Sequence, residues 1–148
     1  MSALDDLLAD SGLAEKAVKI DDHLVRLQWG SAFVIAGISG SAVVAIAPLF
    51  RAVPPGKEVE FFRKLLEHNA YMGGIASFAL QPDGWIVLHA GRALKGIDST
   101  EFATLIAGVG RFADQFDDTL IAEFYADNRA AVATQGGSDV SGQYPQTD

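Results

Sequence analysis

The chain has 148 residues, 49% of them hydrophobic and 20% charged, enough for one ordinary domain to bury roughly two thirds of its unfolded surface. Nineteen acidic against eleven basic residues give a formal charge of −8, which disfavours nucleic acid and anionic membrane surfaces as partners. The absence of cysteine excludes disulfides, thiolate nucleophiles and thiolate metal sites, and fits a reducing, cytoplasmic setting.

The opening MSALDDLLADSG carries Asp5, Asp6 and Asp10 without a basic start, so no secretory signal is expected. Ser2 caps a short helix with Leu4, Leu7 and Leu8 on one face, ended by Gly12 and only weakly anchored. A first strand follows over Leu24 to Trp29, where Val25, Leu27 and Trp29 alternate with Arg26 and Gln28.

From Leu27 to Phe50 no residue is charged, a length that invites a membrane-spanning reading. Turn formers interrupt it at Gly37-Ile38-Ser39-Gly40-Ser41, and the flanking SAFVIA and AVVAIA are strand-length and rich in β-branched residues. Basic residues on both sides give no orientation bias. A hairpin is therefore expected, with strands near Ala32 to Gly37 and Ala42 to Leu49. Both are apolar on both faces, so helices should cover one side, and helices, a second subunit or a bound partner the other.

Pro54-Pro55-Gly56 introduces a second helix near Lys57 to Tyr71, with Phe61, Phe62, Leu65 and Leu66 forming its buried stripe. Gly73-Gly74 stops it. Strands near Ile75 to Leu80 and Trp85 to Ala90 flank a Pro-Asp-Gly turn. The last helix opens at Asp98 or Ser99, with Glu101 at capping-box spacing, and runs on a 3.6-residue period from Phe102 to Phe124. Gly108 and Gly110 weaken its middle by roughly 1 kcal/mol each relative to alanine. After Asn128 the composition turns polar and glycine-rich, giving residues 1–128 as a single domain and 129–148 as a disordered polar tail.

Catalytic chemistry finds no constellation. His23, His68 and His89 lack paired metal-ligand spacing, and Ser39 does not sit in Gly-x-Ser-x-Gly. Gly108-Val109-Gly110 lies within a helical pattern rather than a phosphate-binding loop. Asp5-Asp6, Asp21-Asp22 and Asp117-Asp118 are adjacent pairs that point apart on a helix and lack further oxygen ligands. No catalytic residue, metal or cofactor is expected. Asn69, at a helix end among apolar neighbours, suits an amide that closes off backbone carbonyls.

These elements make an α+β chain of order α-β-β-β-α-β-β-α around an antiparallel sheet. Leu65, Leu66 and Asn69, the Asp83-Gly84 turn, the strand Trp85 to Leu88, Leu94 and the closing amphipathic helix resemble the core pattern of the type III secretion chaperone-like superfamily, both its class I (CesT-type) chaperones and its YbjN family. The resemblance implies a non-enzymatic homodimer that holds an extended segment of a protein client such as a secreted effector, by strand addition and apolar pockets. Client contact is then expected through Leu4, Leu7 and Leu8 of the first helix and through Val25, Leu27, Phe33, Ile35, Val44 and Ile46 of the first three strands. The dimer surface is expected at Phe61, Phe62, Ile75 and Phe78. A YbjN-like regulator or adaptor without a secretion client fits the same residues, and a small-molecule-binding domain is the alternative from another class.

Overall fold

The computed structural model describes residues 2–133 of the chain. Ser2 starts α1 (Ala3–Ser11): its hydroxyl accepts from the Asp5 N–H while the Asp5 carboxylate accepts from the Ser2 N–H, and Gly12 ends the helix at φ +78. The helix is firmly anchored, contrary to expectation, because Leu4 and Leu8 are buried and α1 packs on α3 (Ser99–Phe124).

Six strands form one antiparallel sheet of order β1-β2-β3-β4-β6-β5: β1 (Ala17–Lys19), β2 (Leu24–Trp29), β3 (Ala32–Ser39), β4 (Ala42–Phe50), β5 (Ser77–Leu80) and β6 (Ile86–Ala93). The uncharged Leu27–Phe50 run is thus the end of β2 plus the β3–β4 hairpin. No helix among the described residues is long and apolar enough to cross a membrane. The β2–β3 and β3–β4 turns are both Gly-Ser pairs, with Gly30 and Gly40 at the positive φ that these tight hairpins need. β1 adds an edge strand that the sequence pattern did not show, since three residues are too few for a periodicity.

The register sorts the side chains into two faces. Across β2, β3, β4 and β6, Val25 faces Ala36, Ala36 faces Ala45, and Ala45 faces Ala90 on one side. This side packs against α1, α2 (Glu58–Met72) and α3 as the main core. Small residues in β3 and β4 let the long α3 lie close. Its Gly108 and Gly110 leave the helix continuous for 26 residues and serve contact instead: a Cβ on Gly110 would stand 2.5 Å from Cγ of Trp29, and one on Gly108 2.8 Å from Cγ2 of Ile75. A bulge between Pro48 and Phe50 turns the Phe50 ring into this core, where it stacks on Tyr125 at 4.0 Å. The Tyr125 hydroxyl donates to the Ala52 carbonyl at 2.6 Å, and burial raises its pKa.

This packing corrects several sequence expectations. Leu4 and Leu8 point into the core, and Val25 and Leu27 lie on the helix-covered face, so none presents a surface to a client. Phe61 is buried edge-on to Phe50, Phe124 and Tyr125, and Phe78 is buried beside His68 and Phe116; both support the fold rather than a dimer contact. The folded body also continues past Asn128, because Arg129–Ala131 form a helical turn and Val132 bridges to Phe50. Residues 134–148 of the expected tail lie outside the described residues.

Candidate functional site

The side chains between the core-facing ones form a second surface on the opposite side of the sheet. Strand pairing lines up one row across it: Val18 faces Arg26, Arg26 faces Ile35, Ile35 faces Ile46, Ile46 faces His89, and His89 faces Ser77. Beside this row, Gly37 faces Val44 and Pro48 faces Val87. Leu24, Phe33, Ile35, Trp85 and Val87 form a separate apolar cluster containing no helical residue, flanked by Ile20, Ile46, Ala79 and Ala133.

The exposure of this face is graded. Phe33 and Ile35 are buried, Val44 and Ile46 are half-buried, and Val18, His89 and Gly91 are exposed. Two guanidinium groups sit over its aromatic rings: Arg26 is 4.1 Å from the Phe33 ring centroid and Arg51 is 4.9 Å from that of Trp85. Burial draws the Arg26 pKa down from its ordinary value, although an arginine remains charged at any physiological pH. Of the expected client residues, Phe33, Ile35, Val44 and Ile46 therefore share this face. Leu7 is separate, partly buried on α1 against the main core.

A second apolar surface follows the outer side of α2. Val59 and Leu66 are exposed there, Phe62 is half-buried, and Leu80 is exposed on the neighbouring edge strand β5. A groove of about 280 Å³ between α2 and β5 is lined by Phe62, Leu65, Leu66, Asn69, Phe78, Ala79 and Leu80. Two of the expected dimer residues, Phe62 and Ile75, reach the surface, Ile75 being 47% exposed. Asn69 plays a role the sequence did not reveal: its Oδ1 accepts the Phe78 N–H at 2.7 Å, closing the strand edge rather than the carbonyls at its own helix end.

A polar cluster joins the β2–β3 hairpin to α3. The Ser31 hydroxyl lies 2.7 Å from Oδ1 of Asp114 and 2.6 Å from Oδ2 of Asp117, and the Ser31 N–H donates to Asp114. The Ser31 backbone and hydroxyl bonds hold the Asp114 pKa below its ordinary value, whereas burial raises that of Asp117. Ser31 and Asp117 also border a cavity of about 260 Å³ with Phe33, Pro48 and Ile121. These bonds fasten the hairpin to the helix. No group of three or more metal-ligating side chains occurs among the described residues.

Three helices on one face of a six-stranded antiparallel sheet, with a partly open apolar face opposite, give a fold similar to that of solved type III secretion chaperone structures and of YbjN. One similar structure is a chain of the heterodimeric ExoU-SpcU complex from the type III secretion system of Pseudomonas aeruginosa, at TM-score 0.59 and 19% identity over 78% of this chain and 95% of that one. YbjN from E. coli matches at TM-score 0.54 and 15% identity over 89% and 94%. The Yersinia pestis type III secretion chaperone SycH, in complex with a stable fragment of YscM2, matches at TM-score 0.50 and 16% identity over 76% and 95%. The chain matches no protein-family model and no curated protein.

Proposed function

We propose that this chain is a non-enzymatic, homodimeric binding module that captures an extended segment of a partner protein on the sheet face opposite its helices. One observation carries the reading: Val44 and Ile46 lie half-buried on a face to which no described helix contributes, between the buried Phe33 and Ile35 and the exposed His89 and Gly91. An extended segment laid on such a face buries its own alternate side chains, and each apolar residue removed from water adds about 1.5–3 kcal/mol when burial is complete. The fold supports this reading, because chains that share it have been crystallised in complexes with ExoU and with a YscM2 fragment. Capture accounts for the exposed apolar surface without any catalytic group.

The homodimer surface is assigned to the outer side of α2 and the edge of β5, through Phe62, Leu66, Val59, Ile75 and Leu80. These residues, exposed apart from the half-buried Phe62, lie on the helical side of the sheet, so pairing there leaves the opposite face available. A regulator or adaptor role without a secreted client is the second reading, favoured by the 89% of this chain that the YbjN match covers.

Affinity capture from the native cell tests the proposal. Wild-type chain is expected to retain a specific protein that the Val44→Asp/Ile46→Asp variant loses while keeping its helical circular-dichroism signal and melting behaviour. Retention of the same protein by the folded variant refutes this face as the capture surface. A milder Val44→Ser/Ile46→Ser variant serves if the aspartates prevent folding.

A further inference from the structure

Arg26 sits on β2, one strand in from the β1 edge of the capture face, without an anionic partner among the described residues. It faces Ile35 in β3 and Val18 in β1, and its guanidinium rests on the Phe33 ring. No ion pair or hydrogen bond reaches that guanidinium among the described residues. The chain has nineteen carboxylate side chains, yet none lies among the strand residues of this face. The strands of this face thus offer Arg26 no anion on a protein of net charge −8, and Asp117 and Asp118 border only the cavity at the Phe33–Pro48 end, without pairing with the partly desolvated guanidinium.

We infer that this face selects a partner segment in which an aspartate or glutamate lies on the same side as its apolar anchors, the carboxylate pairing with Arg26. The inference rests on the capture function proposed above and specifies its ligand. In an extended chain, residues two apart share a side, so the matching pattern is apolar-x-acid-x-apolar and not strict apolar-acid alternation. The planar guanidinium donates two parallel hydrogen bonds to a carboxylate, and its position over an aromatic ring restricts the fork before binding. Partial shielding from water strengthens the pair relative to one on an open surface.

The test uses the full-length chain and three synthetic peptides built on a Val-Ser-Asp-Ser repeat, with asparagine or lysine replacing aspartate in the controls. Nitrogen–proton NMR titrations should show shifts at Val44, Ile46 and Arg26. The aspartate peptide is expected to bind about tenfold more tightly than the asparagine peptide, a preference that Arg26→Gln removes and Arg26→Lys partly keeps. Equal binding of all three peptides at Val44 and Ile46 overturns the acidic preference while leaving the capture face in place. Shifts with none of the peptides overturn both. Binding that appears only after deletion of residues 134–148, or only after disruption of a self-associated state, assigns the face to the chain's own C-terminal segment or to a second copy and overturns the inference.

Discussion

Asn69 and Phe78 are joined across the α2–β5 boundary by a 2.7 Å hydrogen bond in which the side-chain oxygen of Asn69 accepts the backbone N–H of Phe78. β5 is an edge strand, and an open edge is a template for unwanted pairing. The amide of Asn69 occupies one donor on that edge and ties the end of α2 to the sheet.

Replacing Asn69 with alanine leaves the Phe78 N–H, on a residue 7% exposed, without its acceptor. The expected loss is about 1–3 kcal/mol, the usual penalty for an unsatisfied buried donor. For a chain of this size each kcal/mol corresponds to a fall in Tm of roughly 2–4 °C. Asn69→Asp, which keeps the acceptor, should lose less. Equal melting temperatures for Asn69→Ala and wild type would remove this bond from the account of the fold.

Gly110 gives a test in which two known effects oppose each other. Alanine there gains about 1 kcal/mol of helix propensity. The new Cβ would nevertheless stand 2.5 Å from Trp29, and overpacking of a tight contact costs typically about 1–3 kcal/mol. Gly110→Ala is therefore expected to destabilise the wild-type chain and to stabilise a Trp29→Ala background, where the ring is gone. Urea denaturation of the four chains measures both signs. Stabilisation in both backgrounds would mean that the ring yields easily.

Much of the architecture was legible because long periodic signals dominate it. The 3.6-residue period over Phe102–Phe124, the turn formers at residues 37–41 and the uncharged strands each specified their element, and α3 and the β3–β4 hairpin follow those signals, with β3 continuing through Ser39 so that only Gly40-Ser41 form the turn. What the pattern did not convey was which face each strand residue occupies. Val25 and Phe33 look alike as apolar strand residues, yet the Gly30-Ser31 turn pairs Trp29 with Ala32 and so sets them on opposite sides. Leu4 and Phe61 were equally ambiguous, since amphipathic periodicity marks a covered stripe without naming what covers it. Asn69, the Arg26–Phe33 contact and the two glycines of α3 act through partners distant in sequence, beyond the reach of local spacing.

The outer side of α2 makes the proposed dimer testable by mass. Leu66 is 67% exposed and Val59 77% exposed, and neither contributes to the core. A charge at either position should leave the fold of a lone subunit within about 0.5 kcal/mol of wild type, the usual range for surface substitutions. In a dimer packed through α2 the same charge is buried without a partner. Light scattering at micromolar concentration is expected to give a dimeric mass for wild type and a monomeric mass for Val59→Glu/Leu66→Glu. A monomeric wild type, or a variant that stays dimeric, rejects α2 as the interface.

His68 links the packing of α2 on α3 to pH. Its ring stacks on Phe116 with centroids 4.2 Å apart, and its Nε2 is buried without a hydrogen-bond partner among the described residues. Desolvation lowers its pKa below the ordinary 6.5, the positive charge of Lys64 adds to the shift, and Glu67 and Glu123 oppose it. The folded chain thus keeps His68 neutral at a pH where the unfolded chain protonates it. The stabilising contribution is fully present above pH 6.5 and is lost as pH falls from 6.5 through the lower folded value. His68→Phe keeps an aromatic ring against Phe116 and cannot protonate, so the stability of wild type relative to this variant should decline from pH 7.5 to pH 5. Taking the difference removes groups common to both chains, including His89, which desolvation shifts in the same direction, and Asp117, which burial shifts so that it favours the fold at lower pH. Urea midpoints measured at half-unit pH steps decide the matter: a constant difference across that range would show that His68 titrates alike in the folded and unfolded chain.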